Sequence, residues 1–540
     1  MHVPLVALAL GAVFWTLSTY RAFQRNRQLA IASGLPFICL PVDTFSPFWQ
    51  VAGPVLVPLL RFLPFGLGAW ADDARAAWVL KHELHSKYGR VFIVVCPWQN
   101  VVHVADPDVV VDVVTRRTEF PKPAHFYKIV EVYGRSVVTT DGADWVRYRK
   151  ITGPPFSEKN NHLVWRSTLE QTSQFLEALK MTPIVPATAS NRPGRVLPQL
   201  QRDMKTIALH IIAEAGFGVA LPFAAADLEN TASIHTLLRF LIPVMVIPKP
   251  LLRAIPIPAW RSAYTAYAEF QKYTALLTSR AKEDGMDNDG SRANLLHALV
   301  ANAEVAGEKS ERLSDAEVLA HLFVFILAGH ETTANALSYA ILNLAIHSDV
   351  QEWFIQRLDD ELSSNRGIEP RDWGYDSVFG QAQAALCIMN ETLRLFPTVA
   401  GVPKWTDSSS VALAWNERKF LVPPKTPVVF NTIAMHRDPT LWGPDAAEFK
   451  PQRWLKDQPR KGQFMAFSEG ARACLGKKFA QVEFVAVLAT IFSRFRAELE
   501  CAPGQTMDDA KKKAMAAFDS SVVLATLGMT KQVPVRFVPR

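Results

Sequence analysis

One short segment constrains the architecture more than any other: Phe467-Ser-Glu-Gly470-Ala-Arg472-Ala-Cys474-Leu-Gly476. As a thiolate, Cys474 is a soft metal ligand. Gly470 and Gly476 allow sharp turns and a close approach of the backbone to a flat partner, which a Cβ would obstruct. Backbone N–H groups around the sulfur, with a helix expected to start at Leu475, would stabilise the charged form. Arg472 is placed to reach a carboxylate by a charge-assisted contact. A buried structural cysteine beside a glycine turn is the ordinary fate of a lone Cys, but it leaves the other positions unexplained. Cys39, Cys96, Cys387 and Cys501 are scattered, with no Cys-x-x-Cys and no zinc spacing, so a disulfide framework is not expected and a reducing compartment fits.

Four further segments lie upstream. Glu391-Thr-Leu-Arg394 falls in Gln381–Leu395, whose apolar spacing predicts a helix ended by Pro397. Glu391 and Arg394 share a face and can pair, and Phe449-Lys-Pro451-Gln-Arg453-Trp454 brings a second arginine. Ala328-Gly329-His330-Glu331-Thr332-Thr333 lies inside an apolar run from Ala316 to about His347, preceded by the capping-box pattern Ser314-x-x-Glu317. A helix of roughly 30 residues spans about 45 Å. An acid and a hydroxyl at its centre are out of place in a purely structural core helix, and with Gly329 they tend to open a helix locally. In Trp145-Val-Arg-Tyr-Arg149-Lys150, Trp145 and Arg149 share a helix face, while Arg147 and Lys150 are expected to face solvent.

In this order and spacing the segments resemble the cytochrome P450 family, over about Pro36 to Arg540. The resemblance implies a mainly α fold with small β-sheets, in which haem b lies between a long central helix and the helix after the Cys loop. It implies Cys474 as the proximal iron ligand, which pushes electron density toward O–O cleavage. Phe467 and Gly476 would complete the loop, and Arg472, Trp145 and Arg149 would hold the haem propionates. Glu391, Arg394 and Arg453 would form a buried, paired structural network. Thr332 would hydrogen-bond dioxygen as it is reduced, and Glu331 would relay protons from water. One position departs from the pattern. Where many relatives carry another propionate-binding arginine, this chain has Pro397-Thr-Val-Ala-Gly-Val-Pro-Lys404, and a lysine substitutes only as a point charge.

At 540 residues and 49% hydrophobic, the chain can bury a large core, and no linker, repeat or low-complexity tract divides it. Motifs from Trp145 to Cys474 must meet at one cofactor, so residues 71–540 read as a single catalytic domain. Val91–Val95, Asn100–Val104 and Pro427–Asn431 read as strands. Val3–Tyr20 is apolar and followed by Arg21, Arg25 and Arg27, which reads as a transmembrane anchor (1–27) with the catalytic domain in the cytosol. Residues 28–70 read as a hinge at Pro36 and Pro41 followed by an interfacial apolar stretch. Phe240–Trp260, apolar but broken by prolines, matches the family's substrate-entrance lid.

A formal charge of +7 could suggest nucleic acid, but no binding motif or dense basic cluster supports it. A basic face of Arg472, Lys477 and Lys478 suits an acidic NADPH-cytochrome P450 reductase, with cytochrome b5 as a further electron donor. Asn390-Glu-Thr392 fits a glycosylation sequon inside a helix on the cytosolic side and is discounted. The resemblance implies pocket walls from Phe120–Tyr133, the Phe240 lid, Phe323–Phe325, Val399–Val402 and Ser520–Leu527. They suit a lipophilic substrate arriving from membrane lipid. The resemblance therefore implies a monooxygenase of the endoplasmic reticulum membrane, of the fungal secondary-metabolite type. Its rivals are a haem-thiolate isomerase or dehydratase that uses no O2, and a membrane haem sensor without turnover.

Overall fold

Apolar periodicity makes helix the main element among the described residues. The helices that position the site are α1 (His2–Ser33), α2 (Gly142–Thr152), α3 (Glu158–Met181), α4 (Leu200–Phe217), α5 (Pro258–Glu283), α6 (Asp315–Ile346), α7 (Gln383–Leu395) and α8 (Lys477–Phe492). The computed structural model describes residues 2–540 except most of 41–76 and the segments 186–192, 224–243, 246, 255–256, 284–293, 306–311, 457 and 524; the side chains of 2–9 and 302–305 also lie outside the described residues.

Helix α6 begins where the sequence predicts. Ser314 Oγ accepts from the Glu317 N–H at 3.3 Å, and Glu317 Oε2 accepts from the Ser314 N–H at 2.8 Å, the reciprocal pairing of a capping box. Its 32 residues are nearly all buried from Val318 to Ile346, so the apolar run becomes the spine of the core. It packs on α4, α4 packs on α3, and α3 packs on α8, which places the helix after the Cys loop at the base of the bundle. Helix α4 stops at Gly218, whose φ of +73° lets its N–H close back on Glu214 O.

The strands form small, separate sheets. Phe37–Cys39 (β1), Val91–Val95 (β2), Asn100–Val104 (β3), Gly401–Trp405 (β4) and Pro427–Asn431 (β5) form one sheet in the order β1-β2-β3-β5-β4. β2 pairs antiparallel with β3, and β3 pairs parallel with β5, so β4 is delivered to the sheet edge beside the cavity described below. A second sheet joins Phe495–Leu499, Val535–Pro539, Gly194–Leu197 and Ile184–Val185.

The N-terminus departs from expectation. Helix α1 continues past Tyr20 and the three arginines to Ser33, ending at Gly34 (φ +76°). Its last turns dock on the sheet: Asn26 Nδ2 donates to Cys96 O at 3.0 Å, and Asn26 O accepts from Asn100 Nδ2 at 2.9 Å. The expected hinge is strand, since Pro36 O accepts from the Ile93 N–H at 2.8 Å and β1 pairs with β2. Among the described residues no helix is long and apolar enough to cross a membrane, so the span expected over Val3–Tyr20 finds no support there. Most of the apolar stretch at 47–70 lies outside the described residues. So do parts of the Phe240–Trp260 segment. Of its described residues, Val244 and Leu252 are buried, while Leu251 and Ile257 are exposed.

Candidate active site

The Cys loop and the middle of α6 face each other across a cavity of about 330 Å3. The lower wall is Met465–Ser468 and Arg472–Gly476 with Phe479 and Ala480; the upper wall is Val324, Phe325, Ala328, Gly329, Thr332, Thr333 and Ala336. Ala328 is exposed although it sits mid-helix in the core, because its face opens on this cavity. Cys474 is exposed in the same sense. Its sulfur is nevertheless desolvated by the surrounding chain, which raises the thiol pKa; the Gly476 N–H and the charges of Arg149 and Lys477 oppose that rise. The N–H of Cys474 donates to Phe467 O at 2.9 Å, closing the loop.

The two glycines of the loop do different work. Gly470 has φ +70°, a conformation other residues adopt only with strain. Gly476 is at φ −85°, and a Cβ there would meet only Phe156 at an ordinary 3.7 Å, so its small size matters toward the cavity and not for the turn. Ser468 also takes a positive φ of +57°. The helix after the loop starts at Lys477, two residues later than expected, and the Gly476 N–H, at its N-cap, serves the sulfur.

Helix α2 supplies the next wall. Trp145 and Arg149 both line the cavity, one helical turn apart. Arg149 Nη1 donates to Ala473 O at 2.9 Å, which ties α2 to the Cys loop. Arg472 turns inward: its guanidinium lies 4.2 Å from the Trp145 ring centroid, donates to Thr140 O at 3.1 Å and pairs with Asp141. It therefore does not belong to an outer basic face; Lys477 is exposed and the Lys478 ammonium lies over Phe379 at 4.2 Å. Arg147 is not simply solvated either. It pairs with Glu317 and donates to Arg312 O at 2.7 Å, because Glu317 at the N-terminus of α6 offers a carboxylate that also accepts from Tyr148 Oη at 2.6 Å.

Sequence reasoning missed Asp141, and placed Lys122 only within an expected pocket wall without a charge role. Asp141 caps α2 by accepting from the Gly142 N–H and binds the Lys122 N–H at 2.6 Å. Burial would raise its pKa, but Arg472 and these N–H groups outweigh it and hold the carboxyl low. Lys122 lines the cavity, its ammonium 3.6 Å from the Tyr127 ring centroid and bonded to Val138 O. Lys404 is buried in β4 at 6% exposure and does not line the cavity. The only sequence signals were the prolines flanking Lys122 and the position of Asp141 just before a helix. Val137 and Val138 line the cavity as well; the Val137 N–H donates to His321 Nε2 at 3.0 Å, and His321 Nδ1 meets Glu317 O at 2.6 Å.

On α6 the adjacent residues Glu331 and Thr332 diverge. Thr332 faces the cavity, its hydroxyl donating to Ala328 O at 2.7 Å, and the helix stays continuous through this motif without the expected opening. Glu331 does not line the cavity; it faces Lys205 of α4 at 3.6 Å, with 26% of its side chain exposed. The expected pocket walls are met by Lys122, Val324, Phe325, Val399 and Val402; Phe323 and the described residues of Ser520–Leu527 and of the Phe240 lid do not reach it.

Behind the cavity, Glu391 and Arg394 are both fully buried. Arg394 grips Glu391 through Nε and Nη2, each at 2.8 Å, and donates to His436, Ala446 and Glu448 carbonyls. Arg453 Nε (3.0 Å), the Lys450 N–H (2.8 Å) and Trp454 Nε1 (3.0 Å) complete the acceptor sites of Glu391.

These residues fit an iron porphyrin. A cysteine sulfur opens on an otherwise apolar cavity, and at one end three cations, Arg472, Lys122 and Lys404, crowd around Asp141, a surplus of positive charge that two propionates would offset. Comparison with known proteins agrees. The Cytochrome P450 family model matches residues 57–521. A cytochrome P450 monooxygenase of Arthrobotrys oligospora is 28% identical, covering 100% of this chain and 99% of that protein. One from the phomenoic acid biosynthesis cluster of Leptosphaeria maculans is 26% identical, covering 91% and 92%. The crystal structure of the cytochrome P450DA haem domain superimposes with a TM-score of 0.68 at 19% identity, covering 86% of this chain and 93% of that one, which shows the shared fold. The chain belongs to the cytochrome P450 family, as an oxidoreductase of the monooxygenase type.

Proposed function

We propose that the protein inserts one oxygen atom of O2 into a lipophilic small molecule, with Cys474 as the thiolate ligand of haem b. The observation that carries this reading is the divergence of Glu331 and Thr332: one helix turn places a hydroxyl on the cavity and a carboxylate toward solvent. Haem, when bound, supplies the redox chemistry, accepting electrons and activating dioxygen. Thr332 then holds a hydrogen-bonding hydroxyl at the cavity wall, fixed by Ala328 O, and Glu331 moves protons inward from solvent. Trp145, Arg149 and Arg472 would hold the cofactor, and Phe467 and Gly476 shape the Cys loop. Ile212, Val137, Val138, Val399 and Val402 exclude water and favour an apolar substrate.

Electrons come, in this reading, from a separate NADPH-cytochrome P450 reductase, with cytochrome b5 as a further donor, docking at the exposed Lys477 side of the Cys loop. The exposed Leu10, Phe14, Trp15, Leu17 and Tyr20 of α1 support attachment to the endoplasmic reticulum membrane, with residues 71–540 as the cytosolic catalytic domain. The phomenoic acid cluster relative supports a place in secondary-metabolite biosynthesis.

The test is Thr332→Val in holoenzyme with reductase, measuring product formed per NADPH consumed and hydrogen peroxide released. Product should fall on the order of 10²-fold, with NADPH oxidation continuing and peroxide taking up the electrons. Wild-type coupling in Thr332→Val would overturn the oxygen-activating role and favour an isomerase, dehydratase or sensor.

A further inference from the structure

We propose that Ile212 determines how bulky an apolar group the site admits, because its side chain is the partition between the main cavity and a second, apolar chamber. The proposal rests on the reading of the main cavity as the place of haem and a lipophilic substrate. Helix α4, which carries Ile212, belongs to none of the expected pocket walls. Ile212 nevertheless borders the main cavity, and among the described residues it is the one that also borders the second chamber.

That chamber has about 20 Å3 of room and lies where α4, α5 and α6 meet, with Leu209, Phe270, Leu277 and Ile326 in its wall. A single water needs roughly 10–15 Å3, so the chamber holds one small group. Among its described wall residues only Tyr273 and Thr274 carry a hydroxyl. Water needs two to four polar partners, so an apolar group suits the chamber better. Ile212 closes it off where α6 is bare. A Cβ at Gly329 would meet Ile212 Cδ1 at 3.6 Å and Cγ1 at 3.8 Å. One at Gly216, a turn further along α4, would meet Cδ1 at 3.5 Å and Cγ1 at 3.6 Å. These are ordinary contact distances, so this one aliphatic side chain fills the gap between α4 and α6 with a methyl group's room beside each glycine. Gly329 borders the main cavity and Ile326 the chamber, so the two spaces lie about 4.5 Å apart along α6. Shortening Ile212 joins them.

The test uses ferrous holoenzyme and alkyl isocyanides of graded bulk (ethyl, n-butyl, tert-butyl and cyclohexyl), whose binding to the iron is read from the Soret band. Each buried methylene tightens binding roughly fourfold while room lasts. In wild type that gain should stop at the bulky members. In Ile212→Ala, tert-butyl and cyclohexyl isocyanide should bind roughly 10- to 100-fold tighter, the gain for two to three more buried carbons, and ethyl isocyanide should change by less than about threefold. Ile212→Phe should weaken the bulky members alone. Leu277 borders the chamber and not the main cavity, so Leu277→Phe fills the chamber from α5. Added to Ile212→Ala, it should remove most of the gain. Should Ile212→Ala not fold, Ile212→Val reads the same trend at smaller size. Equal tightening of all four isocyanides, no tightening of the bulky pair, or a gain that survives Leu277→Phe would each overturn the proposal. A thiolate-type carbon-monoxide spectrum in every variant keeps the haem reading standing apart from these outcomes; its absence in wild type would sink that reading and the proposal with it.

Discussion

Replacing Glu391 by Gln should cost more than any exposed ion pair in this chain, and the structure says why. The carboxylate is fully buried and accepts five hydrogen bonds: two from Arg394 and one each from Arg453, the Lys450 N–H and Trp454. An amide nitrogen must replace one oxygen. The less damaging choice is Oε2, which still sets a donor against Arg394 Nε and Trp454 Nε1. Arg394 keeps its three carbonyl acceptors but loses its neutralising charge, and Arg453 keeps Asp445. Breaking a buried pair from one side typically costs about 3–5 kcal/mol, against a whole stability of about 5–15 kcal/mol. Urea denaturation followed by tryptophan fluorescence should show a lower midpoint at unchanged slope, and haem incorporation should drop. Lys450→Met, which breaks the more exposed Lys450–Asp445 pair, should cost less than about 1 kcal/mol. A Glu391→Gln midpoint as little changed as that of Lys450→Met would refute the reasoning.

Acid should loosen the joint between α6 and the Val137 segment. Burial depresses the His321 pKa to about 4 from 6.5, so the unfolded chain protonates first; stability is whole above about pH 6.5 and is lost as pH falls toward 4, by roughly 3 kcal/mol. His321→Gln should show a smaller loss between pH 7 and 4.5 than wild type, and an equal loss would refute the assignment. Deleting residues 1–20 should shift the protein out of the membrane fraction with its spectrum intact, whereas deleting 1–27 also removes Asn26 from Cys96 O and Asn100 and should lower stability by about 1–3 kcal/mol. Unchanged membrane partition in the shorter deletion would contradict the role proposed for α1.

Local chemistry was legible in the sequence wherever it is written within one helix or loop. The start of α6 at a capping box, the bounds of β2, β3 and β5, and the face shared by Trp145 and Arg149 depend on neighbours at most four residues apart. So did the pairing of Glu391 with Arg394, whose i, i+3 spacing the helix guarantees. What the sequence could not show was direction. Arg472 and Lys477 both looked like members of one basic face; packing of α2 against the Cys loop turned the first inward onto Asp141, 331 residues away in the chain, and left the second outside. Arg147 looked solvated until the N-terminus of α6 arrived with Glu317. Lys404, which stands where an arginine contact was expected, is buried by the sheet, whereas Lys122 of the proline-flanked loop borders the cavity. Periodicity tells a residue which side of its own element it occupies, but burial and charge compensation are set by whichever element packs opposite, and only the tertiary structure decides that.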